Sequence, residues 1–419
     1  MEKFSRRQLL GAVGAGVAGL ATGRLSGRQL LGTPAGASSL QDPAADPPEF
    51  RTRLTDRYGM RYPIVQAGFS ALYVTPELTA AVSNAGGLGC LGAAPEPALG
   101  VRNLIRSTKA LTSRPFGMDF MYFPMGGVTV WGPKYESDEE HRTREFTWTC
   151  TDAHIDACIE EEIAYVVFFW TPPEARWVKR LKAAGVDVWA QVGSVRGALE
   201  AVDWGAEVII AQGMQAGGHN RGYQDGEPSL RQQLTPRIKD AVPKDILVLG
   251  AGGVADGRTL AACLREGAEA AWVGTIFAAS EESYAHEEYK KRVVAVTNGW
   301  VETRENQLFG PEWPHGYTRA IVNRVMAEWQ GREDVQTSPP PPGRIGEHRL
   351  GVYTVPGGIP YEMPKFSLML PTRDTTGDFE EMCLLAGAES SPLVNKVQKS
   401  STIVHEMGEA ARAILTGRA

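Results

Sequence analysis

The 419-residue sequence is first narrowed by what it lacks. It holds only five cysteines, Cys90, Cys150, Cys158, Cys263 and Cys383, and no two stand in a CxxC pair. An odd, dispersed set builds neither a disulfide framework nor a zinc site, so buried free thiols are expected. The histidines other than His219 (His141, His154, His286, His315, His348 and His405) show no clustered ligand spacing, and no metal site is expected. No basic stripe offsets the net charge of -6, which argues against nucleic acid as a partner. No apolar run is long enough to cross a bilayer. No GxGxxG follows the first apolar strand, where Ala67-Gly-Phe-Ser70 stands instead. That gap disfavours an open, doubly wound dinucleotide-binding sheet.

The N-terminus reads as an address rather than as fold. Ser5-Arg-Arg-Gln-Leu-Leu10 resembles the twin-arginine export motif. A mild Gly/Ala-rich stretch follows from Gly11 to Thr22, and Ala35-Gly-Ala37 offers a small-residue cleavage site. Residues 1–37 are therefore read as a signal peptide, with the twin-arginine machinery as a partner and an exported location. Residues 38–54 are read as a solvated linker.

From residue 55 apolar strands alternate with helical patterns. Strands are expected at 63–67, 87–92, 115–120, 163–169, 186–192, 207–211, 246–250 and 270–275. Helices are expected at 76–84, 97–111, 152–162, 173–184, 195–203, 230–241 and 256–266. Eight strand-helix units of this kind form a parallel sheet, and their number fits a closed (β/α)8 TIM barrel over 55–298. The polar stretch 121–149 follows the third strand and should lie over the barrel mouth. Residues 299–419, with Trp300, Trp313, Trp329 and the run Pro339–Pro342, read as a helical cap, a stiff proline-rich linker and a helical tail over 378–415 that packs with the cap.

One stretch concentrates the chemistry. The buried strand Glu207-Val-Ile-Ile-Ala211 runs into Gln212-Gly-Met-Gln-Ala-Gly-Gly-His-Asn-Arg-Gly222. Its four glycines free the backbone to approach a ligand, and His219 sits among them as a lone titratable group. Two further strand-loop signals follow. Leu249-Gly-Ala-Gly-Gly253 ends the seventh strand, and Val273-Gly-Thr275 ends the eighth. Glycines at those two positions, beside a helix N-terminus, form the recurrent phosphate site of such barrels. A ligand anchored there lies across the mouth. That places Ala67, Gly68, Phe69, Asp119, Gln191 and His219 around its other end. Spacing alone leaves open which phosphorylated ligand it is.

The motifs Pro63-Ile-Val-Gln-Ala-Gly-Phe69, Ala80-Ala-Val-Ser-Asn-Ala-Gly-Gly-Leu-Gly89, Ala211-Gln-Gly-Met-Gln-Ala-Gly-Gly-His219, Ala251-Gly-Gly-Val-Ala-Asp-Gly257 and Gly274-Thr-Ile-Phe-Ala-Ala-Ser-Glu281 together resemble the nitronate monooxygenase family. The resemblance implies an FMN-containing barrel that oxidises alkyl nitronates, with nitroalkanes as possible further substrates, using O2 to give a carbonyl compound and nitrite. It implies His219 as the active-site histidine. Gln212, Gly217, Gly218, Ala251, Gly252, Gly253, Gly274 and Thr275 become candidate contacts to the flavin and its phosphate, joining Ala67, Gly68, Phe69, Asp119 and Gln191. The sequence departs from the family pattern at Gln215, where an acid is usual, at Asp119, where asparagine is frequent, and in Ala386-Gly387-Ala388, a loose match to a glycine-glutamine signature. An FMN-dependent enoyl reductase using NAD(P)H, and an exported flavin-binding protein without catalysis, are the alternatives. Nothing in the sequence fixes the oligomeric state.

Overall fold

The computed structural model describes residues 50–122, 150–310, 316–333 and 343–418. The expected signal peptide, most of the linker, most of the 121–149 loop and the proline run lie outside the described residues.

Eight parallel strands form the sheet: β1 (Ile64–Gln66), β2 (Gly89–Gly92), β3 (Phe116–Tyr122), β4 (Tyr165–Trp170), β5 (Asp187–Val192), β6 (Val208–Gln212), β8 (Leu247–Ala251) and β9 (Ala271–Val273). Their order is β1-β9-β8-β6-β5-β4-β3-β2. The ring closes through Leu88. Its N–H donates to the Ile64 carbonyl at 2.9 Å, and its carbonyl accepts from the Gln66 N–H at 2.9 Å. The (β/α)8 barrel expected from alternating apolar runs is therefore what the chain builds. Strand and helix bounds agree with expectation to within a few residues, and the helices Pro76–Asn84 and Val195–Asp203 coincide with it.

The strands are short and buried, so each residue alternates between two cores. One set packs inward, with Val167, Trp189, Ile210 and Leu249 among its members. The Tyr165 and Trp189 rings stack there at 4.0 Å. Tyr165 fits because its neighbour on β3 is Gly117, where an added Cβ would come within 2.4 Å of the phenol ring. The opposite set, including Val166, Phe168 and Val188, packs against the surrounding helices.

Helix Asp152–Glu160 shows how one of these outer elements is pinned. Thr151 donates its backbone N–H to His154 Nδ1 at 3.2 Å. The other ring nitrogen, Nε2, lies 3.1 Å from the Glu96 carbonyl and so carries the proton. Burial lowers this imidazole from 6.5 to about 4. The folded protein keeps it neutral while the unfolded chain protonates it below 6.5. Its contribution to stability is complete above that pH and is lost as pH falls toward 4. Replacing His154 with Gln removes this dependence. The stability gap between wild type and the variant, measured by urea unfolding, should narrow by roughly 2–3 kcal/mol between pH 7 and pH 4.5. A constant gap would refute the assignment.

The region after residue 298 differs from the expected helical cap. Among the described residues it contains two small antiparallel sheets. In one, β10 (Thr303–Asn306) pairs with β11 (Thr318–Ile321), and β11 pairs with β7 (Gly218–His219). In the other, β12 (Arg344–Leu350) stands between β13 (Ile359–Pro364) and β14 (Thr376–Gly377). The strands of the first sheet, at two to four residues, are too short to display an alternating pattern, whereas β12 and β13 run seven and six residues. The expected helical tail 378–415 is helical only in its second half, Ser400–Leu415. That helix packs on the barrel helices Gly257–Arg265 and Pro76–Asn84, not on a cap. The contact with Gly257–Arg265 is close enough that a Cβ on Gly257 would meet Ala410 at 2.4 Å.

Candidate active site

The C-terminal ends of the barrel strands border one cavity of about 1240 Å³, counting the part that opens to solvent. Every position read from the sequence lines it: Ala67, Gly68, Phe69, Asp119, Gln191, Gln212, Gly217, Gly218, His219, Ala251, Gly252, Gly253, Gly274 and Thr275. These residues come from six strand ends, and the parallel sheet brings all of those ends to the same rim.

The histidine loop is braced from three sides. Gln212 Nε2 donates to the His219 carbonyl at 2.7 Å, and Gln212 Oε1 accepts from the Arg221 N–H at 3.0 Å. Asn220 Nδ2 donates to the Gly213 carbonyl at 3.2 Å. The pairing of His219 with Thr318 fixes the third side. Gln212 borders the cavity, but its amide is committed to this brace. The His219 ring meets the edge of Trp170 with centroids 6.1 Å apart. Trp170 itself adopts φ of 90°, a backbone conformation that costs energy in a residue with a Cβ and recurs at functional sites. The half-buried His219 ring faces the cavity, and desolvation lowers its pKa from 6.5 to about 3. It is a neutral imidazole at any working pH.

Asp119 lies midway along β3 and borders the same cavity. An added Cβ on Gly68 would lie 2.5 Å from Asp119 Cβ, so glycine at 68 is what admits the aspartate. Burial pushes this carboxyl well above its ordinary range. Burial thus favours its neutral form, which can donate a hydrogen bond.

The other end of the cavity is a cradle of backbone and hydroxyls that could hold an anion. Gly252 and Gly253 turn through φ of 101° and 73°. Thr275 Oγ1 lies 3.0 Å from Ser390 Oγ and accepts from the Gly387 N–H at 3.2 Å. The first turn of Thr275–Ala278 carries no side-chain cap. The helix after β8 is capped by Asp256, whose carboxylate accepts from the Thr259 N–H at 2.7 Å.

The departures from the family pattern have local explanations. Gln215 lies outside the cavity wall, fully buried. Its amide accepts from the Arg231 N–H at 3.0 Å and donates to Glu389 at 3.4 Å. An acid at 215 would instead face that carboxylate. The segment Ala386-Gly387-Ala388 seats on Gly217, whose Cβ would come 2.5 Å from the Ala386 carbonyl carbon. Sequence reasoning missed Tyr73, Met121, Phe169, Tyr289, Leu368, Leu370, Leu385 and Ser390, which also line the cavity. They are apolar or isolated residues without spacing. Leu385 and Ser390 flank the flagged Ala386-Gly387-Ala388.

Comparison with known proteins agrees with this arrangement. The family model described as nitronate monooxygenase matches residues 51–395. A probable nitronate monooxygenase of Staphylococcus aureus (strain Newman) is 32% identical over 300 residues, covering 67% of this chain and 82% of the relative. The (3aS,4S,5R,7aS)-5-hydroxy-7a-methyl-1-oxo-octahydro-1H-indene-4-carboxyl-CoA dehydrogenase of Rhodococcus jostii (strain RHA1) is 35% identical over 245 residues, covering 58% of this chain and 60% of that relative's length. Among solved structures, a nitroalkane oxidase from Streptomyces ansochromogenes is 26% identical with a TM-score of 0.66, covering 87% of this chain and 99% of that one. FabK from Thermotoga maritima is 25% identical with a TM-score of 0.63, covering 88% and 98%. With its matched motifs gathered on one barrel rim, the chain belongs to the nitronate monooxygenase family of oxidoreductases.

Proposed function

We propose that this protein uses FMN and O2 to oxidise alkyl nitronates to a carbonyl compound and nitrite. Two nitronates and one O2 give two carbonyls and two nitrites. The observation that carries this reading is a neutral imidazole on the same cavity wall system as an anion cradle. A flavin phosphate fits that cradle. It is built from glycine backbone, Thr275 and Ser390, and the Cα of Gly274 faces open space, its added Cβ meeting nothing closer than 3.9 Å. Ala67, Gly68, Phe69, Asp119 and Gln191 would then border the ring system. When bound, FMN supplies the electron-accepting chemistry.

The protein contributes binding, orientation and protons. His219 donates its ring N–H to a nitro oxygen of the nitronate and holds the anion at the rim. Its low pKa selects the substrate form. A base whose conjugate acid is this strong removes a carbon-bound proton poorly, so a ready-made nitronate suits the site better than a neutral nitroalkane. Asp119, whose neutral form burial favours, offers a second donor in that form.

Export by the twin-arginine route is proposed on Arg6-Arg7 and the small-residue site at Ala35-Gly-Ala37. One preparation tests location and activity together. Mature protein recovered from the exported fraction should be yellow, and propionate 3-nitronate should bleach it anaerobically while NADH should not. Colourless protein, or rapid bleaching by NADH alone, would reject the catalytic reading. Recovery only from the cytosol would reject export.

A further inference from the structure

Arg221 stands two residues beyond His219, at the first position of the one-turn helix Arg221–Gln224. Its backbone N–H is the one that Gln212 Oε1 accepts at 3.0 Å. Its side chain turns inward along the rim, and only 27% of it is exposed. Nε donates to Asp225 Oδ1 at 2.7 Å, and the other oxygen of that carboxylate accepts from Ser194 Oγ at 2.9 Å. Nη1 donates to the Trp170 carbonyl, and the guanidinium carbon lies 5.3 Å from the centroid of the Trp170 ring. One side chain thus ties the ends of β4 and β5 to the histidine loop after β6.

Those contacts converge on Trp170. Its φ of 90° is one that a residue with a Cβ keeps only where its surroundings over-determine it. Arg221 constrains it twice, by a hydrogen bond on the carbonyl and by a cation over the indole. So held, the indole meets the His219 ring with centroids 6.1 Å apart and planes at 81°. An edge-to-face pair favours one relative orientation, so a fixed indole restrains the plane of the imidazole. The Gln212 bond and the ladder with Thr318 also brace His219, but they end at its main chain. The ring plane is set by side-chain contact, and Trp170 supplies one.

We propose that Arg221 is a positioning residue for the reaction at His219: it holds Trp170 so that the imidazole keeps one plane toward the cavity. The inference rests on the proposed reaction for what His219 does there, and not for the contacts themselves. Arg221 does not line the cavity, so it acts through the indole and touches neither substrate nor flavin. Arginine suits the place because its planar fork reaches the Trp170 carbonyl and Asp225 at once while lying over a ring.

The test uses the flavin-loaded protein. Arg221→Ala should lower kcat for a nitronate at least about tenfold and move KM by less than about twofold. Ethylguanidinium, which refills the deleted arm, should restore kcat in a saturable way, and ethylammonium should not. Trp170→Gly accepts the positive φ and removes the ring, so it should lose kcat to a similar extent. Adding Arg221→Ala to it should then cost nothing more, whereas independent structural roles would add. An unchanged kcat in Arg221→Ala, a loss that ethylguanidinium leaves as it is, or fully additive losses would each overturn the proposal. A readout without turnover is the nuclear Overhauser contact between the His219 ring and the Trp170 indole in protein labelled at histidine and tryptophan. It should be present in wild type and lost in Arg221→Ala, and its persistence in the variant also overturns the proposal. If the contact is lost as expected but wild type turns over no nitronate, the role of Arg221 stands and the proposed reaction alone is rejected.

Discussion

A His219→Asn protein should bind its flavin, keep its fold and lose nitronate turnover by at least a hundredfold. Each clause has a separate physical source. The fold survives because the backbone around position 219 does not depend on the imidazole. Gln212 clamps the 219 carbonyl and the 221 N–H, Asn220 reaches Gly213, and the ladder with Thr318 continues through main-chain atoms. The ring meets the edge of Trp170, and asparagine is smaller than the ring it replaces. Flavin stays because the cradle lies on the loops after β8 and β9, on other parts of the rim. Turnover falls because a positioned proton donor or acceptor at the reacting group is worth about 10²–10⁴ in rate. Asparagine keeps a donor but places it on a shorter arm. Steady-state kinetics with the visible spectrum and a thermal melt read all three. An undiminished rate removes His219 from the chemistry. Loss of the yellow colour together with the rate would show that the residue supports the cofactor's seat instead.

That the variant could be chosen from sequence alone reflects which features a linear pattern carries. The barrel was legible because buried strands write continuous apolar runs and their helices write a 3.6-residue period between them. The glycine loops were legible because glycine marks backbone that must come close to something. The small sheets after residue 298 were not legible. β10 and β11 are four residues long, and their partner is the two-residue strand holding His219, far away in sequence. Nothing in a local window announces such a pairing. The docking of the tail had a clue that was passed over. Gly408 sits in the middle of the last helix, where glycine is costly, and a Cβ there would come within 2.1 Å of the Tyr62 ring. A glycine kept in a helix interior marks a close neighbour. The apolar half of the cavity left no mark at all. Leucines at 368, 370 and 385 and tyrosines at 73 and 289 become a surface only when the barrel and the C-terminal segment meet.

Position 274 offers the sharpest test of where the anion sits. Gly274→Val should fold normally and lose flavin affinity at least a hundredfold, equivalent to roughly 3 kcal/mol. The reasoning depends on separating what the protein needs from what the ligand needs. Gly253 does not allow that separation. Its φ of 73° disfavours any side chain, and an added Cβ would come within 2.6 Å of the Glu389 carboxylate, so a substitution there strains the polypeptide itself. Gly274 has φ of -110°, which residues with a Cβ adopt, and its added Cβ would meet only Ala67 and Phe69, each at 3.9 Å. The protein thus has room for valine. The space the methyls would take is cavity, at the start of the uncapped turn Thr275–Ala278 beside the Thr275 and Ser390 hydroxyls. An anion held by main-chain N–H groups needs contact at about 2.9 Å, and branched carbon over the turn prevents it. Circular dichroism melts of the apoprotein should therefore match wild type, while titration with FMN should show the loss. If the valine protein binds FMN as wild type does, the phosphate lies elsewhere and the cradle assignment fails. If instead the apoprotein no longer folds, glycine at 274 serves the barrel and not the ligand.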